Sequence, residues 1–205
     1  MPQPTGNIRI VVINGSVRPA NFTAKASALV VDELKKQSHV SVEVVDPTDL
    51  KLPFPGTSTG DHQATRDLQT KVSAATGLVL ATPEYHGTFS SVIKLVIENL
   101  GFPSVLSGKP VALLGVAAGA IGAIKALEHL RSVCSHIGAI TLPLPVSVAN
   151  VHRVFDADGR CLDPNVEKLV RGVATNLLHY IQQNICPRIT LERVLREGVA
   201  AVVES

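Results

Sequence analysis

Residues 8–25 read IRIVVINGSVRPANFTAK. Residues 8–14 form a nearly continuous apolar run of strand length, as expected where helices cover both faces of a sheet. The polar turn that begins at Asn14-Gly15 ends the run, and Phe22, Ala26, Leu29, Val30 and Leu34 then keep the spacing of one helical face within residues 22–38. A buried strand, a short turn and an amphipathic helix form the opening unit of an α/β fold with a parallel sheet.

The alternation continues outward from that unit. VSVEVVD (40–46) reads as a second strand, and residues 47–60, with Pro47, Pro53, Pro55, Gly56 and Gly60, as a loop long enough to suggest a role at a site or an interface. A helix at 61–75 leads to the strand GLVLATP (77–83). Phe89, Val92, Ile93, Val96, Ile97 and Leu100 predict a helix over 89–100, stopped by Gly101. KPVALLGVA (109–117) is the fourth strand, and Ile124, Leu127, Leu130, Cys134 and Ile137 mark the next helix. AITLPLPVSV (139–148) is a fifth strand that Pro143 and Pro145 kink, which assigns it to a sheet edge. After turn signals in DADG (156–159), Val166, Leu169, Val170, Val173, Leu177 and Ile181 outline a last helix. The reading is one domain over residues 1–186, with a tail at 187–205 that forms a short helix after Pro187.

Composition limits the partners. With 205 residues, 45% of them hydrophobic, the chain suits one well-filled core. A net charge of +2 without runs of like charge, and only 3% aromatic residues, argue against nucleic acid. The longest nearly apolar stretch, residues 110–124, is too short for the roughly 20 residues of a membrane span. Cys134, Cys161 and Cys186 lack the spacing of a disulfide framework or a zinc site, and the first residues lack a signal-like pattern. A cytoplasmic protein without a metal site is the expectation.

Five strands alternating with helices match a three-layer α/β sandwich around a five-stranded parallel sheet. For the strand order 2-1-3-4-5, ligands bind outside the carboxyl ends of strands one and three. The loops after residues 14, 83 and 117 therefore carry the interest. In the first, Ser16, Asn21 and Thr23 offer hydrogen bonds, Arg18 offers a charge, and the helix start offers N–H groups, a set that suits a phosphate. The alternative is that Asn21 or Thr23 caps the helix and Arg18 is a solvated turn residue. In the second, Pro83 and Gly87 bracket Glu84, Tyr85 and His86, which are either site residues or loop surface. In the third, GVAAGAIGA (115–123) gives a flat ligand room to approach the backbone or gives a helix room to pack. Neither G-x-x-x-x-G-K-[ST] nor G-x-G-x-x-G follows the first strand.

GSVRPANFT, TPEYHG and VALLGVAAGAIGA, in this order, resemble the NADPH-dependent FMN reductase family, flavodoxin-like proteins that include azo, quinone and chromate reductases. The resemblance implies noncovalent FMN, with NADPH or NADH as co-substrate and a small-molecule electron acceptor. It implies that Ser16, Arg18, Asn21 and Thr23 surround the flavin phosphate and that Pro83, Glu84, Tyr85, His86 and Gly87 lie against the isoalloxazine ring. Ala117, Ala118 and Gly119 would lie near the flavin on its other side. No side chain is nominated as a catalytic acid or base. The family usually has Asn at the position of His86 and G-G-x-G-G where this chain has Gly119–Ala123. A homodimer or homotetramer is also implied, with the 89–101 helix and the 47–60 loop as candidate interface elements. Competing classes are a flavodoxin-type electron carrier, typically far more acidic, and a hydrolase using Ser16 and His86, which lacks the G-x-S-x-G elbow.

Overall fold

The computed structural model describes residues 7–57 and 60–203; residues 1–6, Ser58 and Thr59 of the 47–60 loop, and the last two residues of the tail lie outside the described residues. Strand β1 (Ile8–Asn14) is followed by α1 (Phe22–Lys35), β2 (Val40–Val45), α2 (His62–Ala74) and β3 (Gly77–Tyr85). A two-residue β4 (Thr88–Phe89) precedes α3 (Ser91–Glu98), β5 (Pro110–Val116) and α4 (Ile124–His136). The chain continues as β6 (Ile140–Thr141), β7 (Val146–Val148), α5 (Val151–Val154), α6 (Pro164–Tyr180) and α7 (Cys186–Val203).

The sheet order is β2-β1-β3-β5-β6, with β7 also pairing with β5. All these pairings are parallel. This is the expected 2-1-3-4-5 order, with the fifth strand split in two around Pro143 and Pro145. Neither proline can donate to a ladder, so the edge position predicted for this segment follows. The remaining pair, β3 with β4, is antiparallel.

Alternation along β1 assigns its side chains to two cores. Ile8, Ile10 and Val12 pack with Val30 and Leu34 of α1 and Val170, Val173 and Leu177 of α6. Val11 and Ile13 pack with Leu68 and Val72 of α2, Ile93 and Val96 of α3, and Leu127 of α4. Both faces are covered from Ile10 to Asn14, which explains the nearly continuous apolar run, with Arg9 exposed near its start. Ile13 is fully buried, so Ile13→Ala would cost about 2–5 kcal/mol through lost burial and the cavity left behind.

Short polar residues start most of the helices. Asn21, Asp61, Ser90 and Asp163 each accept a backbone N–H in the first turn of α1, α2, α3 and α6. Ser90 corrects the predicted helix over 89–100: it ends an extended segment, so Phe89 belongs to β4 and α3 begins at Ser91. Leu169, expected on the inner stripe of α6, is 60% exposed, because the buried face is centred on Val170, Val173, Ala174 and Leu177. A short helix, α5, occupies part of the expected loop before residue 156. Instead of a short helix beginning after Pro187, the tail carries the 18-residue α7, which is joined to α6 by a π-helical segment at Ile181–Ile185. Among the described residues, no helix is long and apolar enough to cross a membrane. None of the cysteines is in a disulfide.

Candidate functional site

The three loops singled out in the sequence meet at the carboxyl edge of the sheet. The β3–β5 register pairs Pro83 with Val116, so the loop beginning at Ala117 lies beside the β3–β4 hairpin. Ser90 joins the hairpin region to the first loop: its hydroxyl donates to the Gly15 carbonyl at 2.6 Å and accepts the Ile93 N–H at 3.2 Å. Its own N–H donates to Thr82 Oγ1 at 3.1 Å. Ser90 and Thr82 are buried, and sequence reasoning missed both; a serine directly before an apolar helical run was the available signal for the first.

Gly15 is needed for close approach. A Cβ there would meet Ile93 Cγ1 at 2.5 Å and the Ala81 carbonyl oxygen at 2.6 Å. Beyond it, Ser16 and Thr23 are buried and Arg18 is exposed at the start of α1. Asn21 helps to shape this loop. Its Oδ1 accepts the Ala24 N–H at 2.8 Å, and its Nδ2 donates to the Arg18 carbonyl at 2.7 Å. The Asn21 side chain thus caps α1, with one Nδ2 hydrogen beyond the bond to Arg18. Ser16 Oγ accepts the Arg18 N–H at 3.4 Å, His86 stands at an exposed turn, and among the described residues no hydrogen bond joins the two.

The P-E-Y-H-G segment is a β-hairpin. Glu84 pairs with Phe89 and Tyr85 with Thr88, leaving His86 and Gly87 as a two-residue turn. Their φ values are +51° and +79°, the left-handed pair required by a type I′ turn. This gives the departure at His86 a physical meaning: Asn and His are both enriched in left-handed backbone, so either suits the turn. Glu84 Oε1 accepts the Gly87 N–H, locking the turn from inside. Thr88 Oγ1 meets His129 Nδ1 of α4 at 3.0 Å, bracing the hairpin from outside.

In the third loop, the Ala117 N–H donates to the Val148 carbonyl and its carbonyl accepts the Val151 N–H, at 2.9 and 3.0 Å. Ala117 is therefore committed within the chain, while Ala118 and Gly119 are exposed. The Gly119 carbonyl accepts the Gly122 and Asn150 N–H groups, both at 3.2 Å, while a Cβ on Gly119 would meet no atom within 4 Å, so its Cα side faces open space.

Electrostatics favour this edge for an anion. Arg18 lies over the Tyr85 ring, with its Cζ 5.4 Å from the centroid, and none of its guanidinium N–H groups is taken by a described residue. By contrast, a groove of about 510 Å³ between β2 and α2 is lined by Asp46, Asp49, Asp61 and Asp67, whose carboxylates would repel a phosphate. Among the described residues, no cluster of three or more His, Cys, Asp or Glu suits a metal ion.

A doubly wound parallel sheet with a cationic loop leading into a helix, beside exposed backbone at its carboxyl edge, defines a flavodoxin-like, mononucleotide-binding protein. The model for NADPH-dependent FMN reductases matches residues 8–153, and the chain belongs to that family. An NADPH azoreductase of Bacillus sp. (strain OY1-2) is 31% identical over 175 residues, covering 85% of this chain and 93% of the relative. A 2-hydroxy-1,4-benzoquinone reductase of Burkholderia sp. is 27% identical, covering 80% of this chain and 91% of the relative. Among solved structures, the flavoenzyme NAD(P)H:acceptor oxidoreductase FerB of Paracoccus denitrificans superposes with a TM-score of 0.73 at 20% identity, covering 86% of this chain and 98% of the other. The chain is thus an FMN-dependent, NAD(P)H-using oxidoreductase. The residues present fit the cofactor: an unpaired guanidinium and a helix start suit its phosphate, and open backbone at Ala118–Gly119 leaves room for a flat ring.

Proposed function

We propose that this protein passes reducing equivalents from NADPH or NADH to a small organic acceptor, such as a quinone, an azo compound or free flavin, or to an oxidised metal species such as chromate. The observation that carries the reading is the Arg18 guanidinium ahead of α1, whose N–H groups no described residue takes, on the same carboxyl edge of the sheet as the exposed Ala118 and Gly119. FMN, when bound, supplies the chemistry, accepting hydride from the nicotinamide and then reducing the acceptor. The chain's own residues bind and orient.

Ser16, Arg18, Thr23 and the first-turn N–H groups of α1 hold the phosphate, while Asn21 shapes the loop around it. Arg18 supplies a charge-assisted hydrogen bond. The hairpin from Pro83 to Gly87 forms one wall for the ring. Glu84 fixes the turn, whose tip at His86 is exposed. Ala118 and Gly119 form the opposite wall, backed by Ala117. With no side chain assigned as acid or base, catalysis rests on positioning.

Residues 1–186 act as the cofactor unit, and 187–205 as an appended tail. A homodimer or homotetramer completes the site. Phe102, 100% exposed just after α3, and Phe54, 68% exposed on the 47–60 loop that Asn99 ties to the end of α3 through the Pro53 carbonyl, support an interface there. The apolar face of α3 itself is used within the chain. Three unpaired cysteines support a cytoplasmic location.

The discriminating experiment is steady-state NADPH and NADH oxidation by FMN-loaded protein with a quinone, an azo dye, chromate or free FMN. Turnover with at least one acceptor is expected. Stable FMN binding without NAD(P)H oxidation would point to a carrier instead.

A further inference from the structure

The Arg18–Tyr85 contact joins two parts of the site that the sequence treats separately. Arg18 sits in the first loop, and Tyr85 closes the strand that leads into the hairpin turn. The guanidinium lies over the ring at 5.4 Å from its centroid, within the range of a cation–π contact. Both partners are anchored. The Arg18 carbonyl accepts from Asn21 Nδ2 at 2.7 Å, and Tyr85 pairs with Thr88, which His129 braces from α4. An arginine held over an aromatic ring keeps its N–H donors, which lie in the guanidinium plane, available for an anion. No described residue takes them.

We propose that Tyr85 is a positioning residue for the phosphate: it holds the Arg18 guanidinium against its ring at the carboxyl edge of the sheet, so that the donors no described residue takes are placed before the cofactor arrives. The tyrosine then contributes to discrimination between a phosphorylated and an unphosphorylated flavin although it does not itself bind the phosphate. This rests on the reading that the flavin phosphate is the anion at Arg18. An exposed arginine samples many rotamers, and restricting them before binding reduces the ordering cost paid in the complex.

Riboflavin separates this role from a ring wall, because it shares the ring of FMN and lacks the phosphate. Dissociation constants for both flavins would be measured by fluorescence titration of the purified protein, Tyr85→Phe, Tyr85→Leu, Arg18→Ala and the Arg18→Ala/Tyr85→Leu double variant. Tyr85→Leu is expected to reduce the preference for FMN over riboflavin about two- to fivefold, the scale of an exposed cation–π contact. Tyr85→Phe should retain the preference, since its ring still faces the cation. In the Arg18→Ala background, Tyr85→Leu should leave the preference unchanged. Equal weakening of FMN and riboflavin by Tyr85→Leu would overturn the proposal and make Tyr85 a ring wall only. Persistence of its full effect without Arg18 would overturn it as well. If the unaltered protein binds neither flavin, the phosphate reading fails and takes the proposal with it.

Discussion

Replacing Gly15 with alanine tests how the first loop is held against the sheet. The added Cβ would lie 2.5 Å from Ile93 Cγ1, 2.6 Å from the Ala81 carbonyl oxygen and 3.1 Å from Thr82 Cα. Ile93 is a side chain and can shift. The Ala81 carbonyl belongs to β3, which pairs with β1 at this level, so relieving that clash disturbs the β1–β3 ladder. Overpacking in a well-filled core costs about 1–3 kcal/mol, and a backbone partner places this case in the upper half. The same shift would move the Gly15 carbonyl from Ser90 and carry Ser16 and Arg18 with it. Gly15→Ala should therefore lower the urea midpoint by an amount equivalent to about 2–3 kcal/mol and weaken FMN binding. Gly119→Ala is the matched control, since a Cβ there meets nothing and its stability should stay within about 0.5 kcal/mol of the parent. Trimming Ile93 to alanine should not rescue Gly15→Ala, because the carbonyl clash remains. The reasoning is refuted if Gly15→Ala and Gly119→Ala unfold at the same urea concentration with unchanged m values.

Arg18→Ala should weaken FMN affinity by about 1.5–3 kcal/mol through a lost charge-assisted hydrogen bond, with unchanged affinity arguing against the phosphate assignment. His86→Asn should retain the fold and FMN binding, because asparagine accepts left-handed backbone. His86→Val should lose about 1–2 kcal/mol of stability in thermal unfolding, and a neutral result would contradict the type I′ turn. Arg171 of α6 hydrogen-bonds Asp32 of α1 and lowers its pKa, while Lys36 does the same for Glu33. Folded values below the unfolded ones give stability that is present above about pH 4.5 and lost as pH falls through the folded values. The stability gap between the parent and Arg171→Leu should therefore be widest near neutrality and shrink below about pH 4, and a gap independent of pH would contradict the ion network.

Much of this architecture is visible in the chain because burial leaves simple patterns. Three strands, β1, β3 and β5, stand out as apolar runs because helices cover both of their faces, and the proline pair in 139–148 correctly marks an edge. Phe89 misleads for a physical reason: it packs on the same core as Ile93 and Val96 and continues their spacing, yet it does so from a strand, and only the Ser90 cap marks the boundary. Leu169 misleads because spacing defines a face without locating its centre. The loops of the candidate site were legible from strand order, and their long-range ties were not. Neither the Ser90 hydroxyl on Gly15 nor the Arg18 guanidinium over Tyr85 has a local pattern. His86 illustrates the same limit, since its identity is a matter of backbone conformation that residue type alone leaves open.

An absorption titration of the purified protein with FMN, followed by anaerobic NADPH and then a quinone, tests the central claim most directly. The account predicts a bound flavin spectrum that NADPH bleaches and the quinone restores. Failure to bind FMN, or a bound flavin that NADPH leaves oxidised, would contradict it.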